Sequence, residues 1–206
     1  MKDYTFNINQ IFKNKVSLAI RRKEDIIILL MESIRYMLLN PSIKEESTST
    51  MILKIDKMKR LFFFEKTKYF SIIFPFSIKT EGDNLLFYSK YISNIDAKIC
   101  IDILSLLSCN KSEESTCVTD ILEPLTDMND YHEYIGTLIK ELLFMEDGYI
   151  RYDYDKEHEN GNLHPLNHYD IFYSSHATFK IGLNQKLDES EFIDLLNIKS
   201  DCKYLG

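Results

Sequence analysis

Apolar residues recur at helical spacing early in the chain: Ile8, Ile11 and Phe12 begin the pattern, and Ile27, Leu30, Met31 and Ile34 repeat it. This period predicts helix from about residue 7 to residue 40. Asn40-Pro41 closes it, because proline disfavours helical geometry in the residue before it. Ser42 to Thr50, rich in Ser, Thr and Glu, reads as a loop. From Met51 to Ser89 the pattern changes to β-formers, with Phe62-Phe63-Phe64 and the run from Tyr69 to Phe74, then Glu81-Gly82-Asp83-Asn84 as a turn before Leu85 to Tyr88. An antiparallel meander is expected there. Helices are expected again over Ile95 to Leu107 and Asp130 to Met145, with a polar loop over Asn110 to Thr116.

After the turn at Asp147-Gly148 the chain reads as strand, loop, strand, further strand and helix. Alternate strand residues share a face, so Tyr149, Arg151, Asp153 and Asp155 point one way, and Ile150, Tyr152 and Tyr154 point the other way, into the core. Beyond His164-Pro165 the same alternation groups Leu166, His168, Asp170 and Phe172. Asp188 and Glu191 form a capping-box pattern ahead of a helix whose apolar stripe is Phe192, Leu195 and Leu196. The fold class expected is α+β, an antiparallel sheet flanked by helices. It forms one unit over 1–206, with an N-terminal helical portion over 1–45 and the sheet with its packing helices over 51–206.

Composition narrows the function. An apolar content of 45% and a charged content of 28% belong to a folded protein rather than a disordered one. A net charge of −7 excludes a protein that coats nucleic acid indiscriminately, but not a small cationic site. Two basic stretches, one from Lys54 to Lys68 and one at Arg21-Arg22-Lys23, read as solvated faces. Cys100, Cys109, Cys117 and Cys202 show no zinc-ligand spacing, and the N-terminus has no apolar signal core. Ile26 to Leu39 is interrupted by Glu32 and Arg35 and is short for a bilayer span. A cytoplasmic protein with reduced thiols, away from membranes, is expected.

The chemistry concentrates near the C-terminus. Four of the five histidines, His158, His164, His168 and His176, lie in or just after DGYIRYDYDKEHENGNLHPLNHYDIFYSSH. If the two strands pair across the intervening loop, Arg151 and Asp153 lie near His168 and Asp170. Three chemistries fit. In the first, His164 and His168 serve as general acid and base, Asp153 or Asp170 orients an imidazole, and Arg151, with Tyr152 beside it, meets a phosphate; such a site cleaves RNA without metal. In the second, His164, His168 and a carboxylate hold a divalent ion, which requires Pro165 to bend the chain. In the third, the group fixes a hairpin through hydrogen bonds and does no chemistry. His158 reads as solvent-exposed, His132 as a helix-surface residue, and His176 stays undecided. No glycine-rich phosphate loop and no serine-hydrolase elbow is present.

GYIRYDYDKEH followed by LHPLNHYDI resembles the RYDYD…HPxxH signature of a poorly characterised bacterial family known only as a domain of unknown function. A looser similarity, in the RYD and His-Pro elements, is to the TumE family of toxin-like proteins. The specific match runs from Asp147 to Tyr173 and carries over to Arg151, Tyr152, Asp153, Asp155, His164, Pro165 and His168. One departure is that Tyr169-Asp170 stands where a second histidine is expected after the HPxxH element. The resemblance implies a bacterial toxin–antitoxin or antiviral-defence setting. The reading that results is a toxin- or phage-defence-type nuclease, metal-independent and without a cofactor, acting on nucleic acid beside a protein partner encoded nearby. The competing reading is a non-catalytic interaction subunit of such a complex.

Overall fold

In a computed structural model, the structure describes residues 2–39, 48–57, 59–82, 84–109, 130–171, 173 and 179–204, with backbone alone at 109 and 130–133. In chain order the elements are β1 (Lys2–Asn7), α1 (Gln10–Val16), α2 (Lys23–Leu39), β2 (Thr50–Ile55), β3 (Arg60–Phe64), β4 (Lys68–Ile73), β5 (Ser77–Glu81) and β6 (Asn84–Tyr88). They continue as α3 (Ala97–Cys109), α4 (Asp130–Phe144), β7 (Ile150–Tyr154), β8 (Asn167–Asp170), β9 (Lys180–Gly182) and α5 (Glu189–Leu195). The class is α+β with a large antiparallel sheet. The chain divides into two compact units: one holds Met1–Arg21, Ile43–Phe74 and Asp147–Gly206, the other Arg22–Ser42 and Pro75–Glu146.

The first unit is a seven-stranded sheet in the order β1-β2-β3-β4-β7-β8-β9, antiparallel at every step. Here the N-terminus departs from the expected helix, because Tyr4 and Phe6 alternate with polar residues and the segment joins the sheet edge as β1. Helix follows only at α1, where the Asn9 side chain accepts from the Phe12 amide at 2.9 Å. Every residue of β3 is buried, so both of its faces are covered. The basic stretch around it is not wholly a solvated face. Arg60 is buried and donates to Ser71 Oγ at 2.9 Å and to the Gly148 carbonyl, while Lys54 pairs with Asp3 at 3.1 Å.

One face of β3-β4-β7-β8 is aromatic. Phe62, Phe64, Tyr69, Tyr152 and Tyr169 meet Phe192 of α5, with rings edge-on or tilted at 5.2–6.2 Å for Phe64–Tyr69, Tyr69–Tyr152 and Phe62–Phe192. Burying one such side chain contributes roughly 1.5–3 kcal/mol, so this cluster is what docks α5. The capping box at its start is present: Asp188 Oδ1 accepts from the Glu191 amide at 2.8 Å and Glu191 Oε2 from the Asp188 amide at 2.9 Å. Burial pushes the Tyr169 phenol up to about 12.

The second unit packs α2 with α3, α4 and the β5–β6 hairpin. Helix α2 buries residues on most of its circumference, from Ile26 to Met37. No helix among the described residues is long and apolar enough to cross a membrane.

Candidate functional site

Cross-strand register builds the site. Arg151 lies opposite Asp170, Asp153 opposite His168, Asp170 opposite Lys180, and His168 opposite Gly182. Directly opposed residues share a face, so five polar side chains gather on the side of the sheet away from the Phe192 cluster.

They are wired together. Arg151 Nε donates to Asp153 Oδ2 at 2.7 Å, and its Nη2 donates to Asp170 Oδ2. Lys180 Nζ donates to Asp170 Oδ1 at 3.0 Å and reaches His168 Nε2 at 2.9 Å. His168 Nδ1 faces the Pro165 carbonyl at 2.7 Å, so that nitrogen carries the proton and Nε2 is left to accept from Lys180. His168 and Asp170 are sealed from solvent, at 0% and 1% exposure. Two cations balance two carboxylates, which is what allows such charges to be buried.

Gly182 makes this possible. A Cβ there would lie 2.9 Å from Pro165 Cγ, so the absence of a side chain lets Pro165 seat its carbonyl over His168. The bend at Pro165 also brings the His164 and His168 ring centres to 4.8 Å, edge to face. Four extended residues would instead separate them by about 13 Å.

A second group sits at the rim. Asp155 Oδ2 is 3.0 Å from His158 Nδ1 and 3.3 Å from His164 Nε2, and the two rings stack at 6.0 Å. The His164 contact is off the line of a hydrogen bond, leaving Nε2 without a hydrogen-bond partner. His164 is placed by a tight turn in which the Asn160 amide donates to the His164 carbonyl at 2.9 Å. Burial works against ionisation of Asp155. The His158 amide and ring, with the Glu157 amide, nevertheless hold its carboxyl below the ordinary range. Asp155 opens into a groove of about 420 Å³ lined also by Thr67, Lys68, Arg151, Asp153 and Lys156. Burial lowers the Lys68 ammonium from its usual value, opposed by Glu65 and Asp153.

Among the described residues, Asp153, His168 and Asp170 alone bring three metal-type donor atoms within 4.8 Å of one another. Lys180 Nζ already lies between His168 and Asp170, so a divalent ion would have to displace it.

The expected site residues thus separate. Arg151, Asp153, His168 and Asp170 come together, but as a closed network: Arg151 is committed to two carboxylates, and both nitrogens of His168 are engaged. Tyr152, expected at the substrate, is a core residue instead. It is fully buried, and its hydroxyl donates to Asn167 Oδ1 at 2.8 Å and accepts from the Leu187 amide at 3.1 Å. His164 stands at the rim. His158 is 69% exposed, as expected, yet it shares Asp155 with His164. Lys180 and Gly182 were not foreseen. Phe172 and His176 lie outside the described residues, as do Cys117 and the side chains of His132 and Cys109.

Compared with protein-family models, curated proteins and solved structures, the chain matches none of them.

Proposed function

We propose that this protein is a metal-independent nuclease directed at RNA, with His158 and His164 as the acid/base pair around Asp155. The observation that carries the reading is one ionised carboxylate within 3.0 and 3.3 Å of two imidazoles at the mouth of a groove with cations on its wall. Metal-free cleavage needs one imidazole to take the proton from a 2′-hydroxyl and another to return a proton to the leaving oxygen. The shared carboxylate lies beside a ring nitrogen of each imidazole and so holds both rings at one place. His168 serves as a positioning residue that holds Lys180 and, through Asp170, Arg151. The resemblance of Asp147–Tyr173 to a bacterial domain of unknown function, and of its RYD and His-Pro elements alone to TumE-type toxins, is what suggests a bacterial toxin or defence role.

The test is incubation of purified protein with total RNA and with single- and double-stranded DNA, with and without chelator. Cleavage of RNA alone, insensitive to chelator and reduced about 10²-fold or more in a folded His164→Ala variant, is the expected result. Cleavage abolished by chelator would overturn the acid/base pair and point to Asp153, His168 and Asp170 as metal ligands.

A second reading, a non-catalytic subunit of a bacterial complex, is favoured by the completeness of the Arg151–Asp170–Lys180–His168 network, since a fully satisfied buried network is also what fastens a fold. It predicts no cleavage and no loss of biological effect in His158→Ala or His164→Ala.

A further inference from the structure

Lys156 and Lys186 each place an ammonium over the ring of Tyr154, at 5.4 and 5.3 Å from its centroid. Among the described residues neither lysine forms an ion pair or a hydrogen bond. The Lys68 ammonium, on the wall of the groove beside Asp155, is also without either among the described residues, and rests 5.2 Å from the Phe70 ring. The ring's quadrupole attracts each ammonium, but two like charges around one half-buried ring repel each other, and an anion between them relieves that repulsion. The cations of the buried network are not available for such a role, because Arg151 and Lys180 are held by Asp153 and Asp170. The groove's own acids are mostly answered as well: Asp153 by Arg151, and Asp155 by the histidines. Of the groove's lining acids Glu157 is left as one carboxylate against Lys68 and Lys156, and Lys186 adds a further ammonium at the Tyr154 ring. Two ammonium groups therefore flank the Tyr154 ring, which is partly buried against the aromatic cluster, and a third lies on the wall of the groove that Tyr154 also lines.

We propose that Tyr154 is the stacking platform of a track for unpaired nucleic acid, with a base laid against its ring and the flanking phosphates held by Lys156, Lys186 and Lys68. This rests on the nuclease reading and names the form of its substrate. A single strand offers both an exposed base face and a flexible line of phosphates, the two things this surface can grip; a duplex hides its base faces.

The experiment is fluorescence anisotropy with a short labelled oligoribonucleotide of mixed sequence, unpaired or annealed to its complement. The His164→Ala protein is used so that binding is read without cleavage. The unpaired strand binds more tightly than the duplex. Tyr154→Phe keeps that binding, and Tyr154→Leu, which stays apolar but has no π-face, weakens it about tenfold. Replacing Lys156 and Lys186 together by Gln lowers the slope of log affinity against log salt by about 1.4, from two lost phosphate contacts. Equal affinity for duplex and single strand, no effect of Tyr154→Leu, or full competition by polyglutamate would each overturn the proposal. The two readings fail separately. Single-strand binding lost in Tyr154→Leu, by a protein that never cleaves RNA, keeps the track and removes the nuclease. Cleavage by Tyr154→Leu at wild-type rates on paired and unpaired RNA keeps the nuclease and removes the track.

Discussion

His168 and His164 are four residues apart, and their rings touch at 4.8 Å, yet they live in different chemical worlds. His168 is sealed in strand β8, one nitrogen on a backbone carbonyl and the other on Lys180; His164 keeps a quarter of its side chain exposed and has a ring nitrogen without a hydrogen bond. Each has carboxylates close by. The difference is that the inner carboxylates, half-buried Asp153 and buried Asp170, have Arg151 and Lys180 as cations, whereas Asp155 at the rim has two imidazoles, each charged only when protonated. Closed charge balance makes a fastening, and open charge balance leaves a group able to move a proton.

The sharpest way to break this contrast is to remove a charge from the closed side. Asp170→Ala leaves Arg151 and Lys180 without their shared carboxylate in a buried site, which costs about 3 kcal/mol, the lower end for broken buried pairs because both cations can turn to water. Urea unfolding should show the midpoint falling with the slope unchanged. His164→Ala at the rim should leave that midpoint in place. A fall of similar size in both variants would mean that the two regions are one network.

A smaller effect tests how the closed side is held. Gly182→Ala sets a Cβ 2.9 Å from Pro165 Cγ and 3.3 Å from Pro165 Cβ, so Pro165 must move and take its carbonyl from His168. Overpacking of this kind costs about 2 kcal/mol. The double variant Gly182→Ala with Pro165→Ala should recover most of it, measured by the same unfolding curves. No recovery would mean that the crowding lies elsewhere than at Pro165.

Much of the closed side is legible in the amino-acid sequence. Strand alternation placed Arg151 and Asp153 on one face and Tyr152 on the other, and the turn at Asp147-Gly148 and the capping box at Asp188 were readable as local chemistry. What alternation cannot convey is burial. The same HPxxH spacing is compatible with two exposed histidines or, as found, with one sealed and one at the rim. Lys180 was missed because β9 is three residues long and carries too little period to be paired in advance. Strand β1 was missed because the helical pattern that begins at Ile8, Ile11 and Phe12 follows it directly, and the whole of 1–45 reads as one helical portion.

The smallest expected effect lies on the open side and concerns pH. The Asp155 carboxyl titrates below its ordinary value in the folded protein, because the His158 and Glu157 amides and the His158 ring outweigh the opposing effect of burial. A carboxylate of ordinary affinity in the unfolded chain titrates at about 3.9. Its contribution to stability is therefore fully present above that value and is lost as pH falls through the lower, folded one. In thermal unfolding series taken from about pH 5 downward, the wild type should lose part of its midpoint in this window, and Asp155→Asn should lack that part of the slope. Solvent screening at the rim keeps the difference small. An Asp155→Asn curve that follows the wild type throughout would show that the carboxylate is not held by its neighbours, and the rim pair would lose the carboxylate–imidazole contact on which its geometry depends.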